Sequence, residues 1–283
     1  MKKLSFDDLN GKVCAITGGA GVIGKAMVQG LVSVGVKVAI LDINKEMADK
    51  VAAEIEKESG IKCIGVEANV LDKASLEKAN SEISEKLGKI DILINGAGGN
   101  HPSATTKQEQ MESNKVSALE ETFYGLQLEG FQKVFDLNFM GTLLPTLVLS
   151  KDMLGMGKGV ILNVSSMNSY KPLTKIPAYS AAKAAINNFT MWLSVHFAKT
   201  GIRVNAVAPG FFLTNQNRFL LIDEKSGEAT PRGKKIISNT PMGRYGEVEE
   251  LQGTTLFLLS DVSKFITGVI IPVDGGYSAF GGV

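Results

Sequence analysis

The chain has 283 residues, 44% of them hydrophobic, and a formal net charge of +1. That balance offers no basic surface for nucleic acid or for an anionic membrane, and no apolar stretch approaches the roughly 18 residues of a membrane span. The first eight residues carry two lysines and then two acids, not the apolar core of a signal peptide, so a cytoplasmic protein is expected.

Residues 12–16 (Lys-Val-Cys-Ala-Ile) read as a short buried strand. The strand runs into Thr17-Gly18-Gly19-Ala20-Gly21-Val22-Ile23-Gly24, and a helical pattern follows through Met27, Val28 and Leu31. Strand, glycine-rich turn and helix form the context in which a glycine motif indicates dinucleotide binding. Glycines let the backbone approach a pyrophosphate, and a helix N-terminus supplies free N–H groups. The next strand pattern, 36–41, ends in Asp42, which lies 18 residues beyond Gly24. A carboxylate there accepts hydrogen bonds from the adenosine ribose hydroxyls and repels a 2′-phosphate, which points to NAD. Lys25 and Lys45 lie close by in sequence.

Further strand patterns lie near 62–66, 90–94, 159–164, 202–207 and 268–272. Helical patterns lie at about 23–34, 45–59, 73–87, 130–154, 177–200 and 247–260. This alternation predicts an α/β fold with a doubly wound parallel sheet, built as a single domain over 1–283. Cys14 and Cys63 fall inside strands and read as small buried apolar residues of a reducing compartment. With two cysteines and two separated histidines, no metal site is expected.

The most informative stretch is Tyr179-Ser180-Ala181-Ala182-Lys183, in an Ala-rich helical run. Residues four apart share a helical face, so phenol and ammonium project side by side. A free tyrosine titrates near 10. A neighbouring cation favours the phenolate and is expected to lower that value. Such a pair suits acid–base work on a C–OH/C=O interconversion.

Together these residues resemble the short-chain dehydrogenase/reductase family, over almost the whole sequence. The resemblance implies a Rossmann-type sheet and a catalytic set of Asn138, Ser166, Tyr179 and Lys183. Ser166 precedes Tyr179 by 13 residues, and Asn138 sits in Asp136-Leu137-Asn138-Phe139-Met140-Gly141. The cofactor residues it implies begin with Thr17, Gly18, Gly21, Val22, Ile23, Gly24, Asp42, Asn69 and Val70. Asn95, Gly96 and Ala97 follow, with Tyr179, Lys183, Pro209, Gly210 and Thr214. Asp274-Gly275-Gly276 resembles the family's C-terminal signature near the subunit interface. The family also implies a homo-oligomer, by default a tetramer through the helices that carry Asn138 and Tyr179.

The sequence differs from the family pattern in three places. The middle glycine of the first turn falls at Gly21, with Val22 in the usual glycine position. Gly96 replaces a common asparagine, and Asn69 stands where an aspartate often faces the adenine.

Two segments exceed the bare pattern. Asn95 and Asn138 are 43 residues apart, which leaves an insertion at about 99–130 able to act as lid, subunit contact or substrate wall. A short helix is expected within it at 119–123. A substrate loop spans about 211–240, with Phe211 and Phe212 at its start. A polar cleft is expected from Asn100, His101, Thr105, Thr106, Asn168, Lys171, Asn215, Asn217 and Arg218. Of these, Asn100, His101, Asn168 and Arg218, together with Ser166, are the candidate substrate residues. An arginine pairs with a carboxylate through two hydrogen bonds, which suits a sugar acid.

Within the family, the Gly-Gly-Asn-His-Pro-x-Ala-Thr-Thr loop and the long insertion are most similar to the D-mannonate oxidoreductases of the short-chain type, also called fructuronate reductases. The expected partner is therefore a small sugar acid. Two alternatives stay open: another short-chain substrate, such as gluconate or a 3-oxoacyl thioester, and a non-catalytic NAD-binding sensor. The intact set of four catalytic residues argues against the sensor.

Overall fold

The structure is a computed structural model that describes residues 4–113, 116–214, 218–223 and 226–282. Asn215 and Asn217, expected at the cleft, lie outside the described residues. Seven strands form one parallel sheet: β1 (Val13–Thr17), β2 (Lys37–Asp42), β3 (Cys63–Glu67), β4 (Ile92–Asn95), β5 (Gly159–Val164), β6 (Ile202–Pro209) and β7 (Ile270–Val273). Their order is β3-β2-β1-β4-β5-β6-β7. Sequence order reverses between β1 and β4, the place where open sheets of this kind bind ligands beyond the strands' carboxyl ends.

Both faces of the sheet are covered, which is why β1 is buried at all five positions and shows no alternation. On one face pack α1 (Val22–Ser33) and α2 (Lys45–Ser59), through Met27, Val28, Leu31, Val51 and Ile55. On the other face packs α3 (Lys73–Lys86), through Leu76, Ala79 and Ile83. Caps fix these helix ends. Asn44 Oδ1 accepts from Met47 N at 2.9 Å, and Gly60 ends α2 at a φ of +71°.

The helix expected over 130–154 is instead several pieces: α4 (Leu128–Phe135), a π-turn at Asp136–Met140, α5 (Gly141–Leu149) and α6 (Lys151–Met156). The break has a local cause. Asn138 Nδ2 donates to Val134 O at 2.7 Å, so a side chain takes a carbonyl that helix continuation needs. Such π-turns occur often at functional sites. The helix α7 (Pro177–His196) starts where expected and stops four residues early.

Among the described residues of the insertion before α4, the helical pieces are 3₁₀ turns at Pro102–Ala104, Val116–Glu121 and Phe123–Gly125, so the short helix expected at 119–123 is divided between two such turns. The insertion is tied down nonetheless. Thr106 N donates to Lys175 O at 2.9 Å, and Gln127 N to Ser103 O at 3.0 Å. A small cluster of Ala104, Val134, Ala178 and Ala182, with Phe131, Phe135 and Tyr179 against it, packs the insertion under the start of α7. The loop after β6 carries α8 (Arg218–Leu221) and α9 (Pro231–Ser238), and α10 (Glu250–Leu259) returns to cover α1.

Cys14 and Cys63 are free and buried as expected. Burial pushes the Cys63 thiol up to about 11, and the Cys14 thiol up as well. No described helix is long and apolar enough to cross a membrane, and no metal-binding group of His, Cys, Asp and Glu occurs among the described residues.

Candidate active site

The glycine turn is shaped by contacts that leave no room for side chains. Gly18 has a φ of +64°. A Cβ on Gly24 would stand 2.4 Å from Gly18 O, and one on Gly96 would stand 2.7 Å from Thr17 O. At Gly21 the nearest such contact is a looser 3.3 Å. Gly21 caps α1 through its backbone alone, and the helix begins at Val22, so the absent glycine there costs the turn nothing. The N–H groups of Val22, Ile23 and Gly24 have no intrahelical partner and present the positive end of α1 to an anion. This cradle fits a dinucleotide pyrophosphate.

Several residues expected to bind the cofactor shape the site from behind. Thr17 is buried, and its hydroxyl accepts from Gly96 N at 3.1 Å and Ala97 N at 3.2 Å. The loop after β4 is thereby pinned to the end of β1. Asn95 lies opposite Asn163 in the sheet. Its Nδ2 donates to Asn163 Oδ1 at 2.8 Å and Thr146 Oγ1 at 2.9 Å, and Asn163 Nδ2 donates to Thr190 Oγ1 at 2.9 Å. This buried ladder joins β4 and β5 to α5 and to α7, which carries the candidates Tyr179 and Lys183, and its Asn163 is not foreseen from sequence.

At the adenosine end, Asp42 closes β2 and accepts from Asn44 N at 3.1 Å. Asn69 Oδ1 accepts from Leu71 N at 2.9 Å. Ile43 is 72% exposed and Leu71 is 45% exposed. Two apolar side chains, one next to Asp42 and one two residues past Asn69, are thus left in solvent beyond the ends of β2 and β3. Their neighbourhood comes from the pairing of β2 with β3, which the sequence does not show. Lys25 and Lys45 are engaged elsewhere. Lys25 pairs with Glu54 at 2.7 Å, and Lys45 pairs with Asp49.

The four catalytic candidates converge beyond β4 and β5. Asn138 is fully buried in the π-turn. Its Nδ2 donates to Gly99 O at 2.7 Å, and its Oδ1 accepts from Gly99 N at 3.2 Å. A Cβ on Gly98 would stand 2.7 Å from Asn138 Oδ1 and 3.2 Å from Lys183 Nζ, so Gly98 fills the gap between those two side chains. Lys183 is 3% exposed and donates to Val164 O at 2.8 Å. Its Nζ lies 5.6 Å from the centroid of the Tyr179 ring. Ser166 leaves β5 in extended backbone, and its hydroxyl hydrogen-bonds both Asn168 N, at 3.2 Å, and the Tyr179 side chain.

One expectation is corrected here. The Tyr179 phenol lies above its ordinary value, not below it. Burial raises it, and the Ser166 hydrogen bond only partly opposes that. Burial also brings the Lys183 ammonium down to about 8. Desolvation is thus the leading cause for both groups, and it disfavours the charged form of each.

The chain matches the family described as enoyl-(acyl carrier protein) reductase over residues 18–278. It belongs to the short-chain dehydrogenase/reductase family. An uncharacterized oxidoreductase of Haemophilus influenzae is 50% identical over 98% of this chain and 96% of its own length. A Bacillus subtilis relative named uncharacterized oxidoreductase UxuB is 49% identical over 98% of each chain. A solved structure from Haemophilus influenza, named as a candidate D-mannonate oxidoreductase and holding NAD, superposes with a TM-score of 0.92 at 50% identity, covering 98% of each chain. The protein is therefore an NAD(P)-dependent oxidoreductase of the short-chain type.

On the substrate side of this short-chain enzyme the expected residues separate. Asn168 is buried behind Ser166, with its Oδ1 unpartnered. Asn100 is exposed and donates to Thr105 Oγ1 at 2.8 Å. His101 uses Nδ1 on Ser103, 2.7 Å from its hydroxyl, which leaves Nε2 unengaged. Arg218 is exposed at the start of α8. Lys171 is not in the cleft set. Its Nζ donates to Phe280 O at 2.8 Å and lies 5.4 Å from the Tyr277 ring centroid, so it fastens the C-terminal segment to the loop after Ser166. Pro209 and Gly210 close β6 tightly against Asp274: a Cβ on Gly210 would stand 2.5 Å from Asp274 Cα. Thr214 follows, with its carbonyl accepting from Arg218 N at 2.9 Å.

Proposed function

We propose that the protein interconverts D-fructuronate and D-mannonate with NAD(H). The reading rests on the convergence of Asn138, Ser166, Tyr179 and Lys183 in a protein half identical, nearly end to end, to a candidate D-mannonate oxidoreductase holding NAD. The exposed Asn100 and Arg218 and the unengaged Nε2 of His101 support a polar substrate.

The glycine cradle and the N-terminus of α1 take the pyrophosphate. Asp42 takes the adenosine ribose hydroxyls, Asn69 and Val70 flank the adenine, and Lys183 holds the nicotinamide ribose. Gly96 and Ala97 would wall the nicotinamide side, with Asn95 bracing them from behind, while Pro209, Gly210 and Thr214 would hold the carboxamide end. Bound nicotinamide supplies or accepts the hydride. Ser166 hydrogen-bonds the substrate oxygen and fixes its distance from Tyr179. Tyr179 gives its proton to that oxygen in reduction and removes it in oxidation. Asn138 holds the relay water that connects Lys183 to solvent. His101 Nε2 and the unpartnered Asn168 Oδ1 meet substrate hydroxyls, and the exposed Arg218 attracts the anionic substrate toward the site.

One assay tests substrate and cofactor together. Uronates, aldonates and 3-oxoacyl thioesters are offered with NADH or NADPH, or with their oxidised forms, and absorbance is followed at the nicotinamide band. The expected result is activity on fructuronate and mannonate with at least roughly tenfold preference for NAD(H), since like charges beside Asp42 disfavour the 2′-phosphate. Asp42→Ala is expected to narrow that preference. Turnover of gluconate or thioesters alone rejects the substrate; equal use of NADPH rejects the Asp42 role.

A homotetramer fits the exposed apolar face of α7. Trp192 is 57% and Val195 77% exposed, and Trp192 stacks between Phe189 and His196 at 6.3 and 4.8 Å. An apolar ridge of this kind on a helix marks an interaction surface. Sedimentation is expected to show four chains in the wild type and a smaller species for the doubly substituted Trp192→Glu, Val195→Glu protein. A tetramer that survives both charges places the interface elsewhere.

A further inference from the structure

We propose that Lys235 and Lys175 form the seat for the substrate carboxylate, and that Glu109 of the insertion fills this seat as a displaceable internal counter-ion. The proposal rests on the sugar-acid reading above and names cations that neither the motifs nor the family pattern supplied.

Three features of the geometry meet here. Lys235, on α9, is ion-paired with Glu109, 126 residues away in sequence. The pair therefore ties the insertion to the loop after β6. The charged pairs Lys107–Glu121 and Lys234–Glu228, by contrast, each stay inside their own segment. Second, Lys175 acts on the same Glu109 carboxylate. Its own carbonyl accepts from Thr106 N at 2.9 Å, three residues before Glu109, and Lys175 lies four residues before Tyr179. Third, the charge of Lys235 reaches Tyr277. The Tyr277 ring lies edge-on to Phe211 at 5.3 Å, and Phe211 directly follows Gly210. The two lysines thus stand between the insertion, the start of α7 and the turn at the nicotinamide end. Lys175 lies just before α7, the helix that carries Tyr179, so a carboxylate held here belongs to a substrate whose carbonyl end reaches that tyrosine.

The group already held there is a carboxylate. Lys235 first, and Lys175 after it, hold the Glu109 carboxyl below its ordinary range. A sugar-acid carboxylate asks for the same donors. The Lys235 and Glu109 side chains are 63% and 43% exposed, and an exposed ion pair contributes little stability and is readily exchanged. A substrate held also at its carbonyl and hydroxyls displaces it. Until then Glu109 keeps two like charges from repelling each other and keeps stray anions out.

The test compares kcat/KM for D-fructuronate and for its uncharged methyl ester. Lys235→Met is expected to lower the value for the acid by about 10- to 100-fold, as loss of a charge-assisted hydrogen bond does, and for the ester by less than about threefold. Lys235→Arg is expected to restore most of the acid's value. Glu109→Gln is expected to lower KM for the acid several-fold, at unchanged KM for the ester. Equal losses on acid and ester in Lys235→Met, or a higher acid KM in Glu109→Gln, overturn the proposal while leaving the sugar-acid reading intact. A wild type that takes acid and ester equally well overturns both.

Discussion

Tyr179→Phe is expected to keep NAD(H) binding near the wild-type level and to lower kcat by roughly 100- to 10,000-fold, the usual contribution of a positioned general acid. The ring stays in its cluster with Phe131, Phe135 and Ala178, so the fold has little reason to respond. What disappears is the hydroxyl that meets Ser166 and that the proposed mechanism uses to pass the proton. Because burial raises the phenol, Tyr179 stays protonated through neutrality. Reduction, which needs the acid, is expected to hold a plateau at neutral pH and fall only as pH rises through the raised phenol value. Oxidation needs the phenolate and is expected to climb with pH over that same range. Stopped-flow single turnovers in both directions, with cofactor binding followed by NADH fluorescence, check the claim. A Phe variant within about tenfold of wild type in kcat removes Tyr179 from the proton path.

Much of this architecture is legible in the sequence because local physics dictates it. The β1 turn can be read because glycines at 18, 24 and 96 are the only residues that clear Gly18 O, Ala97 and Thr17 O. The seven strands read as apolar runs because both sheet faces are covered. Features that depend on distant pairing do not read. The π-turn at Asn138 exists because Gly99, 39 residues upstream, returns to meet the amide. The Asn95–Asn163 ladder needs the register of β4 on β5. Lys171 looks like a cleft lysine until Phe280, 109 residues on, takes it. The direction of the Tyr179 shift escapes the sequence for a similar reason. Spacing on a helix shows that a cation is near, but the degree of burial comes from the elements packed around it.

That burial leads to a second expected result. Lys183→Met is expected to abolish most turnover and, in the cofactor-free protein at pH 7, to make the fold more stable. Lys183 is 3% exposed, with one hydrogen bond, to Val164 O. Desolvation brings its folded-state value to about 8, from an ordinary 10.5. Below pH 8 the ammonium is charged in both folded and unfolded states, and the folded state bears the whole burial penalty, on the order of 3 kcal/mol at about 1.4 kcal/mol per pH unit. Between pH 8 and 10.5 the folded protein has released the proton while the unfolded protein keeps it. The unfolded state then binds more protons, so wild-type stability rises with pH across that window. Methionine matches the length and flexibility of the lysine stem and carries no charge to desolvate, but it leaves the buried Val164 carbonyl unpaired, which costs about 1–3 kcal/mol. The net gain expected at pH 7 is therefore about 1 kcal/mol. It is expected to shrink or reverse near pH 10, where the wild-type lysine is neutral in the fold. Urea unfolding of both proteins at the two pH values measures it. A variant less stable than wild type at pH 7, or a difference that does not change with pH, means that the ammonium is solvated in the fold. Lys183 would then carry no stored penalty for a bound cofactor to relieve.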